Sequence, residues 1–337
     1  MSRPYGLLRA GFPYVKTLGM RRVTNFPVDL AIGADETLYV LCRSPRFAQI
    51  SRLTQTDENL GAIGGFGAED GKFQLPAAIA IDRDQRLWIS DEALHRITVL
   101  TADGDFVTKW GEHGQADGQL NRPSGVAFDT DQNLYVVDTM NHRVQKFSQN
   151  GEFILSWGQF GDGDGEFNMP WGIAIDELGD VYVADWRNDR VQKFDPDGSF
   201  LLSIGNSGQG KGQFNRPAGI AVDGHGDIYV ADCGNNRVQQ FDSVGHYVKR
   251  FVGNATLSKS GRQYMMANAL PNRLREMADL EPQERFRSPK SVKIDNQFRM
   301  YVADFGSYRI QVYQKDFVPL SPEQLAPPLR SPTLLTQ

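Results

Sequence analysis

The chain has 337 residues, 34 of them glycine, and a net charge of −5. That length exceeds an average single domain, but closed all-β folds routinely reach it as one unit. The mild acidity gives bulk charge no reason to attract a polyanion, and no run approaches the roughly 20 apolar residues of a membrane span.

Met1 to Pro13 reads as an extension without a secretory signal, because Leu7-Leu8 is flanked by Arg3, Arg9 and Gly11 rather than set in an apolar run. Tyr14-Val15-Lys16-Thr17-Leu18-Gly19 reads as a strand. Phe26-Pro27 then opens a short meander that keeps Leu38-Tyr39-Val40 clearly. Leu75-Pro76 opens a fuller copy, through Trp88-Ile89-Ser90-Asp91 to His95-Arg96-Ile97. Arg122-Pro123 opens a third copy, which runs through Asn141-His142-Arg143-Val144 to Phe147.

The clearest copy is MPWGIAIDELGDVYVADWRNDRVQKF, Met169 to Phe194. Pro170 opens its first strand, where a missing N–H costs least. Asp176 begins a turn that Gly179 completes with positive φ. Val181-Tyr182-Val183-Ala184 is apolar on both faces, as a doubly buried strand is. Asp185 to Asp189 turns the chain, and Arg190 to Phe194 alternates. Arg216-Pro217 opens a fifth copy, ending Asn236-Arg237-Val238-Gln239-Gln240-Phe241. Ser288-Pro289 opens a sixth, with Tyr301-Val302-Ala303-Asp304 and Arg309-Ile310-Gln311-Val312.

The prolines stand at 27, 76, 123, 170, 217 and 289, so three successive gaps are 47 residues. A fixed period of this size marks a repeat architecture. Each period also holds a fourth strand, as at Phe106–Gly111, Phe153–Gly158 and Phe200–Gly205, ending in a glycine twelve residues before the next proline. The expected fold is all-β: a six-bladed β-propeller of four-stranded antiparallel blades. Repeat six has no fourth strand of its own, so residues 14–19 are expected to complete the last blade beside 310–313 and remove both sheet edges. The organisation is then a 1–13 extension, a 14–315 propeller with an insertion at 254–287 between blades five and six, and a Pro-rich tail at 316–337. Within the insertion, Arg273 to Leu280 is helix-prone, and its position suggests a lid, a docking arm or a neutral loop. The tail is expected not to continue a sheet.

The motifs P-x-G-I-A-x-D, Y-V-A-D and N-x-R-V-Q-x-F resemble NHL repeats, and the resemblance covers residues 14 to 315. It implies the propeller fold and leaves activity open, because propellers host many functions. Related peptide-amidating lyases hold zinc on histidines at the post-proline positions. Here those positions are Val28, Ala77, Ser124, Trp171, Ala218 and Lys290, so the resemblance implies no zinc site. The propellers of tripartite-motif proteins bind RNA through a basic face, for which Arg43, Arg46, Arg122, Arg187, Arg216 and Lys290 are the available cations.

In five repeats Asp91, Asp138, Asp185, Asp232 and Asp304 are matched by Arg96, Arg143, Arg190, Arg237 and Arg309. Because the pair recurs with the blade, it reads as a structural bond across each strand turn rather than as a ligand contact. Repeat one departs: Cys42 replaces the aspartate and no arginine precedes Ile50. Cys42 and Cys233 lie on non-adjacent blades, beyond the roughly 7 Å Cα limit for a disulfide, and free thiols suit a reducing, cytoplasmic compartment. His95, His113, His142, His225 and His246 form no metal-ligand cluster. No nucleophile elbow, phosphate loop or Cys-x-x-Cys is present, and no cofactor is expected.

Function is sought where repeats differ. The loop entering each inner strand and the turn leaving each second strand meet at one channel mouth. They bring Trp171, Trp186, Arg187, Met140, Phe305, Lys290, Arg43 and Glu92 to one face, and aromatic and arginine anchors of this kind mark binding hot spots. The expectation is a non-catalytic binding or assembly module that uses this face, the 254–287 insertion and the C-terminal tail to bind a protein or peptide partner. The alternatives are a propeller lyase or hydrolase working at the mouth, and RNA binding through the local cations.

Overall fold

The computed structural model describes residues 7–267 and 281–320. Blade four shows how the repeat folds. Pro170–Ile175, Val181–Asp185, Arg190–Phe194 and Phe200–Ile204 pair in chain order as an antiparallel sheet. Asp176 closes the first hairpin by accepting the N–H groups of Leu178 (2.9 Å) and Asp180 (3.1 Å), while Gly179 takes φ 88°. The second strand is buried throughout, and the outer strand alternates between exposed and covered.

Six such sheets form. Their inner strands, Pro27–Ile32, Pro76–Ile81, Pro123–Phe128, Pro170–Ile175, Pro217–Val222 and Pro289–Ile294, pack side by side around an axis, the last against the first. The core is correspondingly divided into six wedges, one between each pair of neighbouring blades. Tyr135, Val137 and Val144 of blade three meet Ile173, Val181 and Phe194 of blade four in one of them. Leu30, Leu38 and Val40 of blade one meet Tyr301, Ile310 and Val312 of blade six in another. The end of each outer strand also underlies the next blade's outer turn: a Cβ on Gly151 would lie 2.9 Å from the Trp110 ring, and one on Gly198 2.7 Å from Trp157.

Ring closure follows the expectation from sequence. Tyr14–Leu18 pairs with Arg309–Gln314, setting Lys16 opposite Val312 and Leu18 opposite Ile310. Asp57 of blade one locks this clasp. Its buried carboxylate accepts the Gly19 N–H at 2.6 Å and the Ser260 N–H at 2.7 Å. Ser260 belongs to the helix Lys259–Met266, which Ser258 caps by accepting the Gly261 N–H.

One feature differs from the expectation, and another narrows an open one. The tail does continue a sheet: Asp316–Pro319 pairs with Leu7–Gly11 of the N-terminal extension as a two-stranded ribbon. Pro319 is its last residue, so the missing N–H interrupts no inner ladder. Arg9 on Asp227, and Lys315 on Asp223 and Asp227, fasten the ribbon to the first hairpin of blade five. The described part of the insertion, for its part, does not cover the channel. It runs along the outer strand of blade six, where Thr256 and Tyr14 bond and Tyr264 receives Arg22. The helix expected over Arg273–Leu280 and the prolines beyond 320 lie outside the described residues.

Removing residues 1–19 strips the fourth strand from blade six and is expected to cost several kcal/mol out of a typical total of about 5–15. A truncated chain that melts with the full-length protein would refute the clasp. Asp57→Ala leaves the buried Gly19 N–H and the half-buried Ser260 N–H without an acceptor and is expected to cost about 2–4 kcal/mol in urea unfolding.

Candidate functional site

The turns that leave the second strands form the floor of the mouth. In blade three Asp138 accepts the Asn121 N–H (2.6 Å) on one oxygen. On the other it accepts Asn141 Nδ2 (2.8 Å), Arg143 Nε (2.9 Å) and Gln145 Nε2 (3.0 Å). Arg143 continues to the carbonyls of Ala116 and Gln119, tying the incoming loop to the same carboxylate. Asp185–Arg190, Asp232–Arg237 and Asp304–Arg309 repeat the arrangement. Burial pushes the carboxyls of Asp138 and Asp185 above their ordinary range, against the amide and guanidinium bonds that oppose it. These pairs are struts, as their recurrence implied. Blade two is the exception: Asp91 takes the N–H groups of Gln74 and Leu75, while Arg96 bonds only loop carbonyls of Ala68, Glu69 and Lys72. The glutamine that completes the other four clusters, and the asparagine that joins it in blades three to five, are Thr98 and Leu94 there.

Above the struts, the channel is narrow. Val28, Ala77, Trp171, Ala218 and Lys290 line it, whereas Ser124 turns to Thr139 (2.7 Å) and to the Trp171 carbonyl (2.8 Å). Gly125, Gly172 and Gly219 let the inner strands of blades three to six close up, since a Cβ on Gly172 would sit 2.0 Å from the Ala218 oxygen. At the equivalent position of blade one stands Asp29, which accepts the Ile79 N–H (2.9 Å) from blade two and the Ser291 hydroxyl (2.5 Å) from blade six. The remaining channel cavity is about 30 Å³, space for one or two waters.

Three groups of the expected site residues assemble over it. Arg43 of blade one reaches across the axis, its guanidinium 5.9 Å from the Trp171 ring of blade four. Glu92, buried, grips Arg43 at 2.5 Å and Arg122 at 2.8 Å, so Trp171 and Arg43 plug the channel. Lys290 lies 5.8 Å from the Phe305 ring, which also packs on Phe26. Trp186 has two guanidinium groups beside its ring, Arg187 at 5.8 Å and Arg216 at 5.0 Å. Among the described residues, neither of those arginines is ion-paired to a carboxylate. Met140 is 37% exposed at the tip of the blade-three turn, and Phe160, 67% exposed, rests edge-on against His142.

Sequence reasoning placed the eight residues on one face but did not separate plug from rim. It also counted Arg122 and Arg216 only as loose cations. The available signal was their position immediately before the inner-strand prolines. Asp29 was overlooked, although it is the one charged residue at the third inner-strand position, where the other blades have Ala78, Gly125, Gly172, Gly219 and Ser291. Both thiols are free and buried, and burial pushes Cys42 up to about 12. Among the described residues no helix is long and apolar enough to cross a membrane.

An NHL repeat model matches residues 214–241, and a model of the SMP-30/gluconolactonase/LRE-like region matches residues 78–206. No curated protein matches the chain. A structure of catalytically inactive virginiamycin B lyase from Staphylococcus aureus with quinupristin is similar at 10% identity and TM-score 0.55, covering 93% of this chain and 90% of that one. A protein of unknown function from Bacteroides thetaiotaomicron aligns at 18% identity and TM-score 0.62, over 91% of this chain and 72% of its own. Hydrazine synthase from Kuenenia stuttgartiensis aligns at 13% identity and TM-score 0.53, over 90% and 97%. At these identities the likeness is one of fold. Fold and mouth together define a six-bladed β-propeller with loops from every blade around a plugged axis. Its fifth repeat is matched by the NHL model, which with the six sheets supports an NHL-repeat six-bladed propeller.

Glu92→Gln keeps the shape but removes the charge shared by Arg43 and Arg122. It is expected to lower stability by about 1–3 kcal/mol, the range for a charge-assisted bond that is partly exposed. Equal urea midpoints for the variant and the native chain would show that Glu92 holds nothing.

Proposed function

We propose that this propeller is a non-catalytic binding module whose mouth engages a protein or peptide segment bearing carboxylates. The observation that carries this reading is Trp186 with Arg187 and Arg216 beside its ring, both arginines exposed and neither guanidinium ion-paired to a carboxylate among the described residues. The blade turns already hold the backbone of these residues, so only side-chain ordering remains to be lost on binding. A guanidinium matches a carboxylate in shape and charge, and the indole beside it offers apolar contact to the neighbouring residue of a peptide. The plug of Trp171 and Arg43 favours recognition on the rim over chemistry inside the channel. Free Cys42 and Cys233 fit a reducing, cytoplasmic setting.

The test is titration with a labelled short peptide alternating glutamate and phenylalanine. Trp186→Ala and Arg216→Ala are each expected to weaken its binding by about 30-fold, the loss of a hot-spot residue, with melting close to native. Single-stranded RNA binding with steep salt dependence, and no peptide binding, would instead place phosphate recognition at these arginines. Aggregation of the Trp186→Ala chain would make the indole a core residue and sink the proposal.

A further inference from the structure

Successive blades are joined at the mouth by a bond that belongs to no sheet. The residue preceding the third-strand arginine takes a left-handed conformation in blades two to five: His95 (φ 52°), His142 (φ 55°), Asp189 (φ 52°) and Asn236 (φ 52°). Each of these side chains reaches the following blade and accepts the N–H of the residue just before its inner-strand proline. His95 Nδ1 accepts from Arg122 at 3.1 Å, and His142 Nδ1 from Met169 at 3.1 Å. Asp189 Oδ1 accepts from Arg216 at 2.6 Å, and Asn236 Oδ1 from Ser288 at 2.7 Å. The donors are left-handed too, with φ between 52° and 56°. Non-glycine residues persist there only when their surroundings hold them, and this bond is one such hold. Two of the four acceptors are imidazole nitrogens, and such a nitrogen accepts a hydrogen bond only while it carries no proton.

We propose that His95 and His142 are proton-released latches, which hold the loops entering blades three and four while neutral and let them go when protonated. The inference rests on the mouth being the binding face and assigns its regulation. Both latches act on the same place. The backbone that His95 holds carries Arg122, whose guanidinium grips Glu92 and through it Arg43. The backbone that His142 holds is Met169, two residues before Trp171, against which Arg43 lies. Freed together, they loosen the plug from both sides.

The surroundings set the direction of titration. His95 faces the ring of His113 at 4.4 Å between centroids and the cation of Arg122, with Asp91 and Asp138 more weakly opposing. His142 faces the edge of Phe160, with Asp185 and Asp138 nearby. Burial lowers both rings below the ordinary histidine value of 6.5, and His113 and Arg122 lower His95 further. Above 6.5 the latched and open forms are both neutral and the latch is at full strength. As the pH falls below that value the open form takes up the proton first, and the latch weakens about tenfold per pH unit until the latched ring also protonates.

The experiment reads the amides themselves. Hydrogen exchange of Arg122, Met169 and Ser288 is followed by NMR from about pH 7.5 to about pH 5.5, across the histidine range, with correction for intrinsic exchange. Ser288 is the internal control, because its acceptor Asn236 does not titrate. Protection of Arg122 and Met169 is expected to fall with acid while that of Ser288 holds. A chain carrying both His95→Asn and His142→Asn, which copies the blade-five latch, is expected to lose this acid response. Parallel behaviour of all three amides, or an acid response that survives in the Asn variant, would overturn the proposal. The amide readout needs no partner. The loop that His142 holds also reaches the rim, because Asn168, next to Met169, accepts the Arg187 N–H at 3.1 Å; under the same conditions the glutamate–phenylalanine peptide is therefore expected to bind more weakly in acid to the native chain only. A peptide that binds at no pH overturns the mouth as a binding face and leaves the amides to decide the latch.

Discussion

A blade of this protein is apolar on both faces, and neither face can be left to water. Tyr182 and Ala184 turn to one neighbour while Val181 and Val183 turn to the other, so every blade is stable only when two others flank it. That requirement propagates around the molecule and is satisfied only when the last blade meets the first. At about 25 cal/mol per Å² of buried apolar surface, an open seam between blades six and one would expose the wedge of Leu30, Val40, Tyr301 and Ile310. The devices that gather at this seam follow from it: the strand Tyr14–Leu18, the Asp57 carboxylate beneath Gly19 and the helix end on Ser260.

Closure also explains why the mouth is rigid. The turns that leave the second strands are held by buried aspartates which collect backbone N–H groups, an amide and a guanidinium at once. Residues on these turns, and those just before the inner-strand prolines, therefore project from fixed backbone positions. Some of them satisfy one another, as Arg43, Glu92 and Arg122 do, and stop the channel. Others, notably Arg187 and Arg216 beside Trp186, remain open to solvent. The mouth is thereby divided into a plugged axis and an open rim.

The inner ring is asymmetric in a way that repeat averaging hides. Glycines draw blades three to six together by direct backbone approach, whereas Asp29 fills the corresponding place in blade one and bonds to both neighbours. Blade one also lacks the aspartate strut, having Cys42 instead, and its second and third strands are seven residues long where blade four has five. Its extended second strand is what carries Arg43 to the axis.

Much was determined by the sequence alone, because it depends on neighbours along the chain. The spacing of prolines 76, 123, 170 and 217 set the blade period, Y-V-A-D marked the buried second strand, and the missing fourth strand of repeat six pointed to residues 14–19 as its replacement. The strut role of Asp138 and Arg143 was legible for the same reason: the pair spans one turn. Tertiary structure decided what meets across the axis or around the rim. Arg43 on Trp171, Asp29 on Ser291, Asp57 under Gly19 and the ribbon of Leu7–Gly11 with Asp316–Pro319 join segments from distant parts of the chain. Periodicity reports which way a side chain points within its own strand. It carries no information on how far each blade is rotated about the axis, and that rotation chooses the partners.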